Sequence, residues 1–497
     1  MKNVLNYLEN SAIKFPKKKA VIESDCSIDY TKLLNYAKSI GSFLADYNVE
    51  RKPVAVFLDK GIDALITFLG ITYAGGFYSL INPEFPSSRL KSMFETLDAD
   101  IIVTRPEYME VLTNVISKEK IVLVDDIKNH EIDNRRLDDI RNKMIDLDPL
   151  YLNFTSGSTG IPKGVLINHH SVIDFIDNFA DNFNINENDI IANQAPFDFD
   201  VSVKDIYLSL KVGATLLIVP KPLFSSPAKL LDYLCDNNAT TMIWAVSALC
   251  LITTFHGLDY KVPSSVNKVI FSGEVMPIKH LNIWMEKLPN STFVNVYGPT
   301  EITCNCTYHI IDRDRDYQDK IPIGGNFNNE RVILLDDNDQ EVKDGIGEIC
   351  VSGACLALGY YNNLEETNKR FVQNPLNKKY PELIYRTGDL GEYRNGELYF
   401  MGRKDFQIKY MGHRIELEEI EKAIMNVDGV VRTCCLFDEE KERIYGFYIG
   451  DIDKKDLYNK LKEDLPIYMI PTKLISIEEF PLTKNGKIDR KVLKGMM

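Results

Sequence analysis

The chain predicts an α/β fold: a large N-terminal domain of two parallel-rich sheets flanked by helices, a small β-subdomain, and a small α+β C-terminal domain. Three observations lead there. Through the first three hundred or so residues, short apolar strands alternate with helical patterns, and strands separated by helices form parallel sheets buried on both faces. From about residue 320 the pattern changes to short strands with many turns. At 497 residues the chain is also too long for one small core.

Val4, Leu5, Leu8 and Ala12 fall at helical spacing, and Ala20-Val21-Ile22 reads as a strand. Residues 28–33 lead into a long apolar-periodic helix ending near Tyr47. Val54-Ala55-Val56-Phe57-Leu58 is a buried strand, followed by a helix through Leu65, Phe68 and Leu69. Ala74-Gly75-Gly76 leads to Tyr78-Ser79-Leu80-Ile81-Asn82-Pro83, and a helix starts after Pro86. Ile101-Ile102-Val103 and Ile121-Val122-Leu123-Val124 are further short strands.

The chemistry concentrates first in residues 153–164, Asn-Phe-Thr-Ser-Gly-Ser-Thr-Gly-Ile-Pro-Lys-Gly, between the apolar runs Leu150-Tyr151-Leu152 and Val165-Leu166-Ile167. Thr155, Ser156, Ser158 and Thr159 supply hydroxyls, and Gly157, Gly160 and Gly164 let the backbone approach a polyphosphate closely. Lys163 adds a mobile point charge. The spacing is not G-x-x-x-x-G-K-[ST], because Pro162 precedes Lys163 and Gly164 follows it; nor is it G-x-G-x-x-G opening a helix. A flexible Ser/Gly linker is the alternative, and the flanking apolar strands argue against it.

His169, His170 and Ser171 then open a helix rich in Phe and Ile, where capping or packing suits the two histidines, which point to different faces. In Pro196-Phe197-Asp198-Phe199-Asp200-Val201-Ser202, aromatics alternate with carboxylates. Asp198 or Asp200 could cap the helix after Ser202, yet a buried carboxylate needs a partner, which leaves a ligand role open. Residues 214–219 and 241–246 are strands, with a helix around Leu231 and Leu234 between them. Residues 268–274 and 292–301 are strands ending in tight turns, where open α/β sheets bind ligands. Later strands fall at 332–335, 347–351 and 397–400, a pattern that suits a small β-subdomain such as a barrel, with Asp389 at a Gly turn. The tail shows a helix at 416–425, strands at 430–437 and 444–449, and a helix at 454–465. A final loop, 482–490, follows, in which Asn485-Gly486 makes a tight turn projecting Lys487.

Composition narrows the function classes. With 58 Lys and Arg against 72 Asp and Glu, the formal charge is −14, which argues against nucleic acid or an anionic membrane surface as partner. No transmembrane run is present, and residues 1–6 lack the apolar core of a signal peptide. Nine scattered cysteines, of which neither Cys304/Cys306 nor Cys434/Cys435 has zinc spacing, predict reduced thiols in a cytoplasm.

Taken in order, the loop at 153–164, the runs 28–33 and 75–83, Phe197-Asp198-Phe199-Asp200, Tyr297-Gly298-Pro299-Thr300-Glu301, Tyr385-Arg386-Thr387-Gly388-Asp389, Gly402-Arg403-Lys404-Asp405 and the loop bearing Lys487 resemble the core motifs of the adenylate-forming superfamily. The resemblance covers essentially the whole chain. It is strongest to amino-acid adenylation domains of nonribosomal peptide synthetases and to stand-alone D-alanine–carrier-protein ligases. One departure is Leu358, where the family usually has arginine before Gly-Tyr.

The resemblance implies activation of an amino acid by ATP with Mg²⁺, then transfer to the phosphopantetheine thiol of a carrier protein. It places Glu301 on Mg²⁺ and Thr155, Ser156, Gly157, Ser158, Thr159, Gly160 and Lys163 on the phosphates. Lys487 would bridge the α-phosphate and the reacting carboxylate, so that Lys487, Glu301 and Thr155 form the catalytic set. Tyr297 would stack on adenine, with Asn295 at its edge and Thr300 beside it; Asp389 and Arg403 would hold the ribose. Asp405 would be the hinge between an N-terminal unit at 1–404, its β-subdomain at about 320–404, and a mobile C-terminal unit at 405–497. Asp200 would receive the substrate's ammonium, in a pocket of Val201, Lys204, Ala248, Ile270, Ser272, Val296, Cys304 and Asn305.

No Gly-Gly-x-Ser attachment motif follows Lys487, so the carrier is expected to be a separate protein, docking on a local basic patch. Asp200 speaks against the alternative of an acyl-CoA ligase. D-alanine ligation to a carrier for teichoic acid modification is the nearer alternative. Lys204 is the unusual pocket residue. It either pairs with an acidic substrate side chain or snorkels to Asp205, Asp198 or solvent, leaving a pocket for a small or polar neutral amino acid.

Overall fold

The computed structural model describes residues 3–157, 161–439, 441–482 and 488–497. Two large sheets carry the N-terminal part. In the first, six strands run parallel in the order Thr292–Tyr297, Lys268–Ser272, Thr241–Ala245, Ile190–Asn193, Thr215–Ile218 and Lys19–Glu23. Antiparallel strands close both edges. In the second, Pro149–Thr155, Phe77–Leu80, Pro53–Phe57, Ile101–Thr104 and Ile121–Leu123 run parallel, with Lys163–Asn168 antiparallel beside Pro149–Thr155. Every residue of Pro53–Phe57 is buried, as a strand covered by helices on both faces must be.

The helices Tyr30–Ala45 and Ile62–Tyr73 pack against each other between these sheets. A Cβ on Gly41 would lie 2.6 Å from Tyr73 Cβ, and one on Gly70 2.5 Å from Ile40 Cγ2, so two glycines set how closely the helices approach. Asp29 starts the first of them by accepting from Lys32 N.

Beyond residue 325 the strands Glu330–Leu335, Ile346–Gly353, Phe371–Gln373, Leu383–Arg394 and Glu397–Arg403 form an antiparallel sheet whose ladder is open rather than a barrel. Asp389, read from sequence as a turn residue, lies inside the long strand Leu383–Arg394. The irregularity there is a register shift with Gly388 at φ +75°, because the strand bends to serve two neighbours on one edge.

The C-terminal part starts with a hairpin of Gln407–Tyr410 and His413–Glu416, then the helix Leu417–Met425. A three-stranded sheet, Val430–Asp438, Arg443–Gly450 and Lys473–Ser476, packs with that helix and Lys454–Asp464 around its own core. Among the described residues no helix is long and apolar enough to cross a membrane. All nine cysteines are free thiols.

Candidate active site

A crevice of ≈120 Å³ opens where the strands Lys268–Ser272 and Thr292–Tyr297 end, between the two large sheets and the C-terminal hairpin. Strand ends are where the backbone changes direction and leaves polar groups unpaired, which is why ligands bind there in α/β sheets. Gly298 follows the second strand with Asn305 Cα only 2.5 Å from where its Cβ would stand. The returning loop therefore passes directly over it, and Thr303 and Cys304 both take left-handed φ, at 54° and 76°. For a β-branched threonine this is strained backbone, of the kind that surrounding structure must hold in place. Thr303 Oγ1 donating to Cys355 O at 2.8 Å does so.

Asp200 ends the loop before the helix Val201–Val212, but its side chain makes no capping hydrogen bond. With the Asn153 amide oriented by its hydrogen bonds, Asn153 oxygen accepts from Asp200 N at 2.9 Å, and Cys304 Sγ donates to Asp200 O at 3.0 Å. The carboxylate is thus left to face the crevice. Burial pushes it above the usual range, opposed by the Thr300 hydroxyl and the Lys204 charge.

Of the other residues predicted for the pocket, Val201, Ser272, Cys304 and Asn305 line the crevice. Ala248, Ile270 and Val296 are buried and absent from the lining. Lys204 is 0% exposed, so it does not snorkel to solvent, and it does not line the crevice either. Its ammonium donates to Asn305 Oδ1 at 2.7 Å.

Of the residues predicted to hold a nucleotide, Thr155, Ser156, Thr300, Asp389 and Arg403 line the same crevice, whereas Asn295, Tyr297, Gly157 and Lys163 are absent from its lining, as is Glu301. Tyr297 OH donates to Asp389 Oδ2 at 2.5 Å, and Arg403 pairs with Asp389 Oδ1 and, at 2.6 Å, with Asp405 Oδ1. Asn295 Nδ2 donates to Pro322 O at 2.9 Å, and its oxygen has no partner among the described residues. Thr155 and Ser156 line the crevice, while Lys163 turns to Glu366 at 2.8 Å. Ser158, Thr159, Gly160 and Lys487 lie outside the described residues.

Glu301 is 1% exposed, with Tyr360 OH donating to Oε1 at 2.7 Å and Arg414 Nη1 to Oε2 at 2.6 Å. Burial alone would raise this carboxyl; the Arg414 guanidinium and the Tyr360 and Tyr385 hydroxyls instead hold it at about 2. An ionised carboxylate with one oxygen presented to a cation fits a hard divalent ion whose other ligands are phosphate oxygens and water.

Sequence reasoning missed the contacts made by residues 407–419. Ser156 Oγ donates to Arg414 O at 2.8 Å and accepts from Glu416 N at 3.2 Å. Gly157 N donates to Glu419 Oε2 at 3.3 Å, and Glu419 Oε1 pairs with Arg89 at 2.5 Å with both side chains buried. His413 stacks on Tyr468 at 3.5 Å between ring centroids and meets Phe199 edge-on at 4.6 Å. Lys409 Nζ lies 5.4 Å from the Tyr297 ring centroid. The one signal for this docking was the run of charges at 413–419 directly after the hinge stretch.

The model of the AMP-binding enzyme family matches residues 8–361, and that of the AMP-binding enzyme C-terminal domain matches 419–487. Zwittermicin A synthase ZmaJ of Bacillus cereus is 33% identical over 500 residues, covering 98% of this chain and 93% of that one. Surfactin synthase subunit 1 of Bacillus subtilis (strain 168) is 30% identical over 503 residues; the match covers 99% of this chain but only 14% of that much longer protein. Among solved structures, the Vibrio cholerae adenylation domain AlmE in complex with glycyl-adenosine-5′-phosphate superposes with TM-score 0.86 at 22% identity, covering 99% of this chain and 97% of that one. PA1221, described as an NRPS protein containing adenylation and PCP domains, superposes with TM-score 0.85 at 24% identity, covering 100% and 84%. At those identities the structural likeness is one of fold.

Proposed function

The chain belongs to the AMP-binding enzyme family, and from that premise we propose that it activates an amino acid as its aminoacyl-adenylate and passes it to the phosphopantetheine thiol of a carrier protein, in biosynthesis of the nonribosomal peptide type. The observation that carries the amino-acid reading is Asp200, a carboxylate left uncapped at the head of its helix and facing the crevice beside Thr300. A buried carboxylate facing a ligand site calls for a cation, and the α-ammonium of an amino acid is one. The relatives named as zwittermicin A and surfactin synthases support the pathway class.

In the first step a substrate carboxylate oxygen attacks the α-phosphorus of ATP, and the bond to the bridging oxygen breaks, releasing pyrophosphate. In the second, a thiol sulfur forms the bond to the acyl carbon and AMP leaves. Two anions must meet in the first step, so positive charge at the phosphates lowers the barrier. Mg²⁺, when bound, would supply part of that charge on Glu301. Asp389 accepts from the ribose hydroxyls, its orientation fixed by Tyr297 and Arg403. Asn295 accepts from the adenine amino group through its oxygen, which has no partner among the described residues. Lys487 neutralises charge between the α-phosphate and the substrate carboxylate. Thr155, Ser156 and Gly157 hold the outer phosphates once the 407–416 hairpin has withdrawn, with the unit at 405–497 turning about Asp405.

Amino-acid-dependent exchange of pyrophosphate into ATP tests the reading, run across proteinogenic, D- and β-amino acids, fatty acids and aryl acids. Exchange with amino acids is the expected result, and exchange only with acids lacking an amino group overturns it in favour of an acyl-CoA ligase. A strict preference for D-alanine would favour the teichoic-acid alternative.

A further inference from the structure

We propose that Lys204 is a positioning residue that turns the Asn305 amide toward the crevice, and that the site so formed selects a short amino acid bearing a neutral hydroxyl side chain. The inference rests on the amino-acid activation proposed above and names its substrate class. A lysine ammonium has donors only, so the Asn305 atom 2.7 Å from it is the amide oxygen. The Asn305 NH₂ group is thereby aimed the other way. Asn305 is 2% exposed and Ser272 5%, and both line the crevice. Neither Asn305 Nδ2 nor Ser272 Oγ makes a hydrogen bond among the described residues, and neither is one of the fully enclosed unpartnered atoms, so each keeps access to the crevice that its residue lines. Two nearly buried, unpartnered groups facing one cavity call for a ligand that accepts from an amide and exchanges a hydrogen bond with a hydroxyl.

The crevice lining carries charges of both signs, Arg89, Arg403, Lys409 and Arg414 beside Asp198, Asp200 and Asp389, but the wall made by Asn305 and Ser272 is neutral. Lys204, behind that wall, is already taken by Asn305 Oδ1, so a side-chain carboxylate there would lack direct pairing with it. A cationic side chain would meet the amide's donors. Val201 and Cys304 line the same crevice, and alanine would leave both polar groups unmet. A site built to bond a hydroxyl rejects the analogue lacking it.

The test is steady-state pyrophosphate exchange by the full chain with serine, threonine, alanine, asparagine and aspartate. Serine or threonine is expected to exceed alanine in kcat/KM by roughly ten- to a hundredfold, and aspartate by more. Lys204→Met should cut the hydroxyl substrate's kcat/KM advantage over alanine about tenfold, over and above any loss common to both substrates from removing its charge near Asp200. Asn305→Asp, which would pair with Lys204 directly and remove the donor, should abolish the preference. The wild-type ratio needs no variant, so a Lys204→Met protein that fails to fold still leaves the proposal open to refutation. Alanine or aspartate as the best substrate overturns it, as does equal loss for serine and alanine in Lys204→Met. Absence of exchange with every amino acid instead overturns the parent reading, and this one with it.

Discussion

Arg414 Nη1 stands 2.6 Å from Glu301 Oε2, so a guanidinium from the C-terminal hairpin occupies the oxygen on which a divalent cation would sit. With Mg²⁺ held by Glu301 as proposed, cation and guanidinium would compete for one carboxylate. Arg414→Met is expected to tighten binding of Mg·ATP, measured by calorimetry, by about tenfold or more, since removing one partner of a buried pair is worth about 3–5 kcal/mol. Arg414→Lys should lie between the two. Unchanged or weaker Mg·ATP affinity in Arg414→Met would show that the two do not compete.

Glu419 does the complementary thing at the phosphate loop, where its carboxylate takes the Gly157 N–H while Arg89 balances its charge. Glu419→Gln leaves the Arg89 charge buried without a counter-charge. The docked hairpin should weaken by about 3 kcal/mol. Amide hydrogen exchange of residues 407–416 reads this directly, and protection equal to wild type would contradict it.

Glu330 carries a pH dependence away from the crevice. It is 7% exposed, and among the described residues no N–H or O–H donor reaches its carboxyl oxygens; burial and the Asp174 charge, only partly opposed by the Cys355 thiol, push it up to about 9. A raised carboxyl stays protonated in the folded chain while the unfolded chain has already released its proton. The stability it contributes is thus full below the ordinary glutamate range, declines as pH rises toward about 9, and is constant above. The slope is at most about 1.4 kcal/mol per pH unit. Glu330→Gln should melt higher than wild type at pH 8 and close to it at pH 4.5. A difference independent of pH would refute the assignment.

Lys487 lies outside the described residues, and its role is a proposal from the resemblance. Lys487→Ala should slow adenylation by roughly 10²–10³, the loss on removing one transition-state donor. Transfer from preformed aminoacyl-AMP to a carrier thiol should be far less affected. Equal losses in the two half-reactions would argue against separate placements of the tail.

Much of this protein was legible in its residues because the signals are local. Apolar runs such as 54–58 and 101–103 mark strands buried on both faces, and the helical spacing after Asp29 marks the helix Tyr30–Ala45. Thr155 and Ser156, at the start of the glycine- and hydroxyl-rich run, and the turns after Lys268–Ser272 and Thr292–Tyr297 fall at strand ends that the structure gathers into one crevice. Whether Asp200 capped a helix or faced a ligand needed the structure, since both readings satisfy the same short sequence. The same holds for Lys204. Its partner lies 101 residues away, and only the close passage of the 303–305 loop over Gly298 brings the Asn305 oxygen to it. Arg414 and Glu301, 113 residues apart, meet because a hairpin from the C-terminal part enters a crevice made by the N-terminal part. Periodicity and spacing report what a chain does within a turn or a strand. Buried charges choose partners across the fold, by which groups desolvation leaves within reach.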